Sequence, residues 1–266
     1  MNLNIFKMRS ALQKEWDKLE KQESAFLARK SEKQQSKLNT LLAQKVPAGL
    51  QSTLDSAFNK AFHTVFTKGT GIIEKTYNKQ KAQETAFINH TLASKARPSR
   101  KSLKTINKTA GKAATANLAV STVAGVGLGA LGIGIPDIVL FVSLVLKNMY
   151  QIATSFNLDY NTEKERKFIL LTIQGALTFG EKQKAIDEEL DFFIANGYFE
   201  KELTLEECIT SCSKCMSTEL LYMKFLQGIQ IVGAIGGAYD FVYMKQINEY
   251  AKIKYYKRFL SDKMYG

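Results

Sequence analysis

The chain has 266 residues and a formal net charge of +12, and 45% of its residues are apolar. This apolar fraction is enough for a packed core, which excludes a wholly disordered protein. Three cysteines within eight residues exclude the disulfide framework of a small secreted protein, and the start MNLNIFKMRS lacks the apolar run of a signal peptide. We therefore expect a protein that stays in the cytoplasm.

The positive charge is concentrated in the N-terminal part of the chain. Residues 1–112 contain 22 Lys and Arg against 8 Asp and Glu, whereas residues 147–266 contain 15 basic and 16 acidic residues. This asymmetry predicts an acidic partner: lipid headgroups, nucleic acid or an acidic protein surface.

The N-terminal elements are predicted from apolar residues three, four or seven positions apart. Residues 9–46 are polar with a thin apolar stripe, which predicts one or two amphipathic helices. A second helix is expected over about 50–68 and a third over about 71–94, separated by Gly69 and Gly71. We treat 1–45 as an N-terminal helical extension of a domain that covers 46–266.

A basic run follows over residues 95–112 and contains no acidic residue. It lacks the interleaved aromatic residues on which bases would stack, so an anionic membrane surface is favoured over nucleic acid. A solvated helix face without a ligand is the alternative. The candidate anion-binding residues are Lys95, Arg97, Arg100, Lys101, Lys104, Lys108 and Lys112.

Residues 113–146 then carry a single charge, Asp137. As one straight helix this stretch would extend about 51 Å, well beyond the roughly 30 Å hydrocarbon core of a membrane. Pro136 and the glycines before it favour a bend near 132–136. We therefore predict an all-α fold with a Gly-rich apolar helical hairpin at its centre.

Two G-x-x-x-G pairs, Gly125–Gly129 and Gly233–Gly237, provide flat faces on which helices can pack closely. We expect these two Gly-rich segments to pack on each other. Three alternatives remain open: core helices of a soluble domain, a core that can also enter a membrane, or a permanently integral hairpin. Asp137 and Asp240 fit burial in protein better than exposure to lipid.

The C-terminal half predicts further helices. One ends near Asn157, and the next covers 163–180 with Asn161 or Thr162 as its N-cap. Residues 181–219 carry ten acidic residues and are interpreted as exposed helices joined near 196–197. The last element is basic and aromatic, and its Tyr250, Tyr255 and Tyr256 suit either a membrane-interface belt or ordinary helix packing.

Two segments resemble the EcsC family. GIGIPDIVLFVSLVLKNMYQIATSFNLDYNTEKERKFILLTIQGAL is similar to the central signature of that family, and QGIQIVGAIGGAYDFVYMKQINEYAKIKYYKRFL to its C-terminal signature. The resemblance covers about residues 45–266. The chain has Asn157 where the family often has Gly, Asp240 where it often has Asn, and an acidic segment over 181–219 that we could not align.

The resemblance implies little chemistry. The family is named for a protein encoded beside an ABC-type exporter, and its biochemical activity is generally unassigned. No catalytic residue can therefore be transferred to this chain.

Cys208, Cys212 and Cys215 have the C-x3-C-x2-C spacing that holds an iron–sulfur cluster in radical-SAM enzymes. Their helical context, late in the chain, favours three packing residues that share one helix face. A zinc site would need a fourth ligand, and the two histidines, His63 and His90, are far away in sequence.

Both histidines are interpreted as ordinary helix residues. No nucleophile elbow, phosphate-binding P-loop or dinucleotide-binding motif occurs in the sequence. We therefore expect no cofactor.

Three hypotheses follow. The first is a peripheral membrane protein on the inner face of the cell membrane that works by interaction, near a transporter. The second is a hydrolase that brings together Asp137, Asp240 and Glu163, because buried carboxylates are costly unless used or paired. The third is nucleic-acid binding through the N-terminal part.

Overall fold

A computed structural model describes residues 3–30, 48–75, 77–95, 99–112, 135–228 and 236–265. Regular structure within these ranges is helical throughout, without strands, which confirms the all-α prediction. The helices are α1 (Leu3–Ala28), α2 (Ala48–Thr64), a π-helical turn (Val65–Gly69), α3 (Thr70–Lys75), α4 (Lys79–Lys95), α5 (100–112), α6 (Ile135–Ser155), α7 (Glu163–Leu177), α8 (Gly180–Asn196), α9 (Leu205–Gly228) and α10 (Gly236–Tyr265).

The C-terminal helix α10 is the axis of the fold. It packs against α1, α6, α7 and α8. Its segment 250–256 is buried on several sides, with Tyr250, Lys254 and Tyr255 all at 0% exposure. Helix α10 therefore brings polar side chains into the centre of the protein, where each one needs a partner.

Helix α1 is part of the core. Its buried residues Leu12, Leu19 and Phe26 are seven positions apart and form one stripe along the helix. The Phe26 ring stacks on the ring of Tyr250, with centroids 4.9 Å apart. At its C-terminal end, the Lys30 carbonyl accepts a hydrogen bond of 2.8 Å from the Gly180 amide at the start of α8.

The predicted break at Gly69 and Gly71 is wrong. The chain continues through both glycines, first as the π-helical turn and then as α3, and the break lies between Lys75 and Lys79 instead. Asn78 marks it, because its side-chain oxygen accepts a hydrogen bond of 2.8 Å from the Lys81 amide. An exposed N-cap is thus a stronger boundary signal here than glycine, which a helix tolerates.

Two predicted boundaries in the C-terminal half are confirmed. Helix α6 ends at Ser155, and Asn157 follows with φ of 59°, the left-handed conformation that favours glycine and tolerates asparagine. This explains how Asn157 can stand where the family often has Gly. At the start of α7, the Thr162 hydroxyl oxygen accepts a hydrogen bond of 3.2 Å from the Glu165 amide.

Helices α8 and α9 are amphipathic, so the prediction that 181–219 forms exposed helices is only half right. Helix α8 buries Ile186, Leu190 and Phe193, and α9 packs against α2 and α7. Gly197, with φ of 77°, separates the two helices at the predicted point.

The predicted Gly-rich hairpin lies largely outside the described residues, because 113–134 and 229–235 are not described. Helix α6, its expected second arm, begins at Ile135 with Pro136 in the first turn. Among the described helices, the window Ile138–Ser155 is long and apolar enough to cross a membrane, and 61% of it is buried within the protein. Length and composition of this kind are equally typical of a core helix.

Candidate anion-binding surface

Helix α5 has one basic and one apolar face. Leu103, Ile106 and Ala110 are buried, so they fix the helix against the body of the protein. The opposite face exposes four lysines at intervals of three, four and four residues, which places them along one line. We call this set the lysine stripe: Lys101, Lys104, Lys108 and Lys112.

Among the described residues, no salt bridge involves any of the four ammonium groups of the lysine stripe. Arg100, one residue earlier, differs because its Nε lies 2.5 Å from Glu15 Oε1 of α1. The predicted basic set is thus divided into an unpaired stripe and one arginine that fastens α5 to α1. Arg97 and the side chain of Lys95 lie outside the described residues.

The other basic stretch of the chain, on α10, includes the fully buried Lys254. Lys254 Nζ lies within 2.6 to 2.7 Å of one carboxylate oxygen each from Glu23, Asp187 and Asp191. Lys257 Nζ contacts the second oxygens of Glu23 and Asp191, both at 2.6 Å. We call these five residues the α10 ion cluster.

Lys254 and the neighbouring Tyr250 have raised pKa values. Burial alone would lower the pKa of Lys254, but the surrounding carboxylates, above all Asp191 and Asp187, raise it well above its ordinary value. The Tyr250 hydroxyl donates to Asp187 Oδ1 at 2.5 Å, and burial together with this carboxylate raises the tyrosine pKa. The oxygens of Glu23, Asp187 and Asp191 lie close enough together to hold a metal ion, but the Lys254 ammonium stands between them.

Two further tyrosines of α10 hold carboxylates in the same manner. The Tyr255 hydroxyl donates to Glu165 Oε1 at 2.6 Å, and Arg258 contacts the other oxygen at 2.7 Å. The Tyr256 hydroxyl donates to Glu15 at 3.3 Å. Burial and the neighbouring carboxylates raise the pKa of both hydroxyls. Since Tyr250, Tyr255 and Tyr256 are all buried, helix packing is confirmed for them and the interface belt is excluded.

A fourth tyrosine–carboxylate pair joins α3 to the turn before α7. Tyr160 OH and Lys79 Nζ both donate to Glu74 Oε1, at 2.7 and 2.6 Å. Burial would raise the pKa of Glu74, but these hydrogen bonds outweigh it and the net shift is downward. The same mode of neutralising a carboxylate therefore recurs in a second part of the fold.

The three cysteines are buried along α9 as free thiols. Burial raises the pKa of Cys208 to about 11 and that of Cys212 well above its ordinary value. Metal binding and nucleophilic attack require the thiolate, which such surroundings disfavour. Within the described ranges Cys208, Cys212 and Cys215 belong to no cluster of possible metal ligands. Packing along one helix face accounts for them.

The described residues do not show the three carboxylates of the hydrolase hypothesis, Asp137, Asp240 and Glu163, close to one another. Glu163 is exposed and pairs with Lys167 of its own helix at 2.7 Å. Asp137 and Asp240 lie near the starts of α6 and α10, and their side chains are outside the described residues. The hypothesis stays a prediction.

The histidines have ordinary partners. His63 Nε2 lies 3.1 Å from Glu206 of α9, and the ring of His90 meets the edge of Phe259 at 5.1 Å. Burial lowers the pKa of His90. These contacts agree with the interpretation of both as helix residues.

The glycine pairs are mostly outside the described residues. Gly125, Gly129 and Gly233 are not described, and Gly237 lies at the start of α10. The packing of the two Gly-rich segments on each other therefore stays a prediction.

Sequence reasoning missed the polar residues that matter most to the core. Glu15, Glu23, Asp187 and Lys254 are all buried, and none of them was singled out by the sequence patterns, although Glu15 and Glu23 lie in register with the buried stripe of α1. The sequence did contain a signal for the two glutamates: they are eight positions apart and lie on the otherwise apolar face of α1.

Comparison with known proteins identifies the family of this chain and gives no further information about its activity. The model of the EcsC protein family matches residues 9–260. The match begins within α1 and includes the acidic segment 181–219, which does not resemble either of the two family signatures. No curated protein and no solved structure matches the chain.

Proposed function

The chain belongs to the EcsC family, and we propose that it acts as a peripheral membrane protein that binds anionic lipid through the lysine stripe. The observation that carries the proposal is the stripe itself: exposed, unpaired within the described ranges, and held outward by the buried apolar face of α5.

The arrangement suits a flat negative surface. From Lys101 to Lys112 the stripe extends about 16 Å along one side of a rigid helix. Each basic residue near an anionic bilayer contributes about 1 kcal/mol, so the stripe supplies roughly 4 kcal/mol. Binding of this strength is reversible and decreases with salt.

The neighbouring sequence supports lipid over nucleic acid. Residues 100–112 contain no aromatic side chain, whereas single-stranded nucleic acid is held by stacked bases. The 22 residues that follow, 113–134, are uncharged and rich in Gly, Ala, Val and Leu. A basic helix directly before an uncharged segment is the order expected at a membrane surface.

Sedimentation with lipid vesicles tests the proposal. We expect the protein to pellet with vesicles that contain anionic lipid and to remain in solution with neutral ones. The triple variant Lys101→Glu, Lys104→Glu, Lys108→Glu should lose binding, because repulsion replaces attraction at three positions of the stripe.

The exposed lysines of α1 provide a matched control. The changes Lys14→Glu, Lys18→Glu and Lys21→Glu lower the net charge by the same six units, and these lysines stand among Asp17 and Glu20. This variant should keep most of its binding. Equal losses in both variants, or no binding of the unaltered protein at low salt, would contradict the proposal.

At the membrane we propose a role in interaction, and the resemblance makes an ABC-type exporter the first candidate partner. Fractionation of cells with a carbonate wash is the corresponding test. Release of the protein by carbonate supports peripheral attachment, whereas retention supports the integral hairpin. Loss of membrane attachment when the exporter is absent would identify the partner.

A further inference from the structure

A groove of about 480 Å³ lies between α1, α5 and α10. Its volume is within the range of small-ligand pockets. Leu19 and Ala25 of α1 and Ile253 of α10 line its apolar part, and five polar residues line the rest: Gln22, Arg29, Asn107, Glu249 and Lys252.

Lys252 differs from Arg29, the other cation of this groove, because it forms no direct salt bridge there. It is half-buried, and no salt bridge within the described ranges includes its ammonium. Burial lowers its pKa, and Glu249 offsets this only in part. Glu249 is itself engaged by Arg29, whose guanidinium lies 2.6 Å from Oε1. A partly desolvated ammonium that forms no direct salt bridge is stabilised when an anion enters beside it.

Asn107 supplies a second, independent feature. Its side-chain oxygen is buried and accepts no hydrogen bond from the described residues. A buried acceptor without a donor is unfavourable, and a turn of the Asn107 side chain towards a ligand hydroxyl in the groove would supply the missing donor. One turn further along α5, a Cβ on Gly111 would lie 3.0 Å from Lys252 Nζ, so the glycine lets the ammonium rest against α5. Asn107 and Lys252 therefore both line the groove, one from α5 and the other from α10.

We propose that this groove binds a phosphate ester with a free hydroxyl, of the glycerol phosphate type. Lys252 and Arg29 bind the phosphate, and Asn107 with Glu249 accepts hydrogen bonds from the hydroxyl. The ester can be a lipid headgroup or a soluble molecule. The lipid source rests on the proposed function, because the groove residue Asn107 lies on the same helix as the lysine stripe, three residues after Lys104 and one before Lys108.

Calorimetric titration of the full chain with glycerol 3-phosphate and with inorganic phosphate tests the groove. Lys252→Gln should weaken binding of both by about 10- to 100-fold, the range of a charge-assisted hydrogen bond. Asn107→Ala should weaken the ester about tenfold and leave inorganic phosphate unchanged. Lys245→Gln, an exposed lysine on the same helix, is the control and should bind like the unaltered protein.

Vesicles distinguish the two sources. At equal surface charge, a glycerophosphate headgroup should be preferred over a phosphoserine one, and Lys252→Gln should abolish the preference while the lysine stripe still binds both. Binding of the soluble ester without a vesicle preference assigns the groove to a soluble ligand.

These experiments can contradict the groove proposal and the proposed membrane function independently of each other. If the unaltered protein does not bind glycerol 3-phosphate, or if Lys252→Gln binds it equally well, the groove proposal is wrong whatever the vesicles show. If the ester binds and no anionic vesicle does, the proposed function alone is wrong. Thermal melting of each variant shows whether it is folded.

Discussion

Two basic stretches of this chain have the same number of cations and opposite surroundings. Residues 100–112 on α5 and 245–258 on α10 each contain five Lys and Arg residues. On α5 four of these are exposed and unpaired within the described ranges, whereas on α10 Lys254 is fully buried among three carboxylates. Composition alone therefore does not distinguish an exposed basic surface from a basic residue in the core. The neighbours of each cation make the distinction.

The two kinds of surroundings have different consequences for stability. A buried cation with several carboxylates makes the fold depend on its partners, because removing one leaves the others desolvated. An exposed cation without a partner contributes little to stability and is available for a ligand. Stability experiments should therefore separate the two regions as sharply as binding experiments do.

The largest expected effect comes from Lys254→Met. Glu23 and Asp191 would then keep only Lys257 of the cluster, and Asp187 only the Tyr250 hydroxyl, so we expect a loss of about 3 to 5 kcal/mol in the free energy of unfolding. Lys104→Met on α5 is the counterpart and should change it by less than about 0.5 kcal/mol. Urea denaturation measures both. Similar losses in the two variants would remove the distinction between the regions.

Alkaline pH should act on the α10 region and also on Tyr150 and Tyr160 outside it, whose pKa values burial raises. The pKa values of Tyr250, Tyr255 and Tyr256 are raised in the folded protein, so the folded state keeps protons that the unfolded state releases above about pH 10. The stabilisation that these protonated hydroxyls provide is fully present below about pH 10 and is lost as pH rises. Each such tyrosine lowers the free energy of unfolding by about 1.4 kcal/mol per pH unit while it keeps its proton in the folded state alone.

The raised pKa of Lys254 acts in the same direction above its ordinary value. Urea denaturation at pH 9 and pH 11 measures the loss. Tyr255→Phe removes one releasable proton and should make the dependence shallower. A free energy that does not change between these pH values would show that the hydroxyls are not held as described.

A smaller effect is expected from glycine substitutions, which compare a tightly packed position next to α10 with an exposed one. Gly175 of α7 faces Tyr250, and a Cβ at this position would lie 2.6 Å from the Tyr250 ring. Gly175→Ala should therefore destabilise the protein by about 1 to 3 kcal/mol, although alanine favours helices. Gly71→Ala, where a Cβ meets nothing within 4 Å, should stabilise it by about 0.5 to 1 kcal/mol. Opposite signs in thermal denaturation are the expected result.

Much of the local structure could be read from the sequence. The Thr162 cap, the helix end before Asn157 and the outward lysine stripe all follow from interactions within one or two helical turns, where spacing along the chain equals position in space. The boundary at Gly69 and Gly71 failed because glycine permits a break without requiring one.

Only the tertiary structure decided which charges are buried together. Glu23 and Lys254 are separated by 231 positions, and Asp191 and Lys254 by 63. Helical periodicity places each residue on a face of its own helix and carries no information about which helix that face will meet. The sequence by itself determined an all-α protein with a basic N-terminal part, and the packing of α1 and α8 on α10 determined which basic residues became its core.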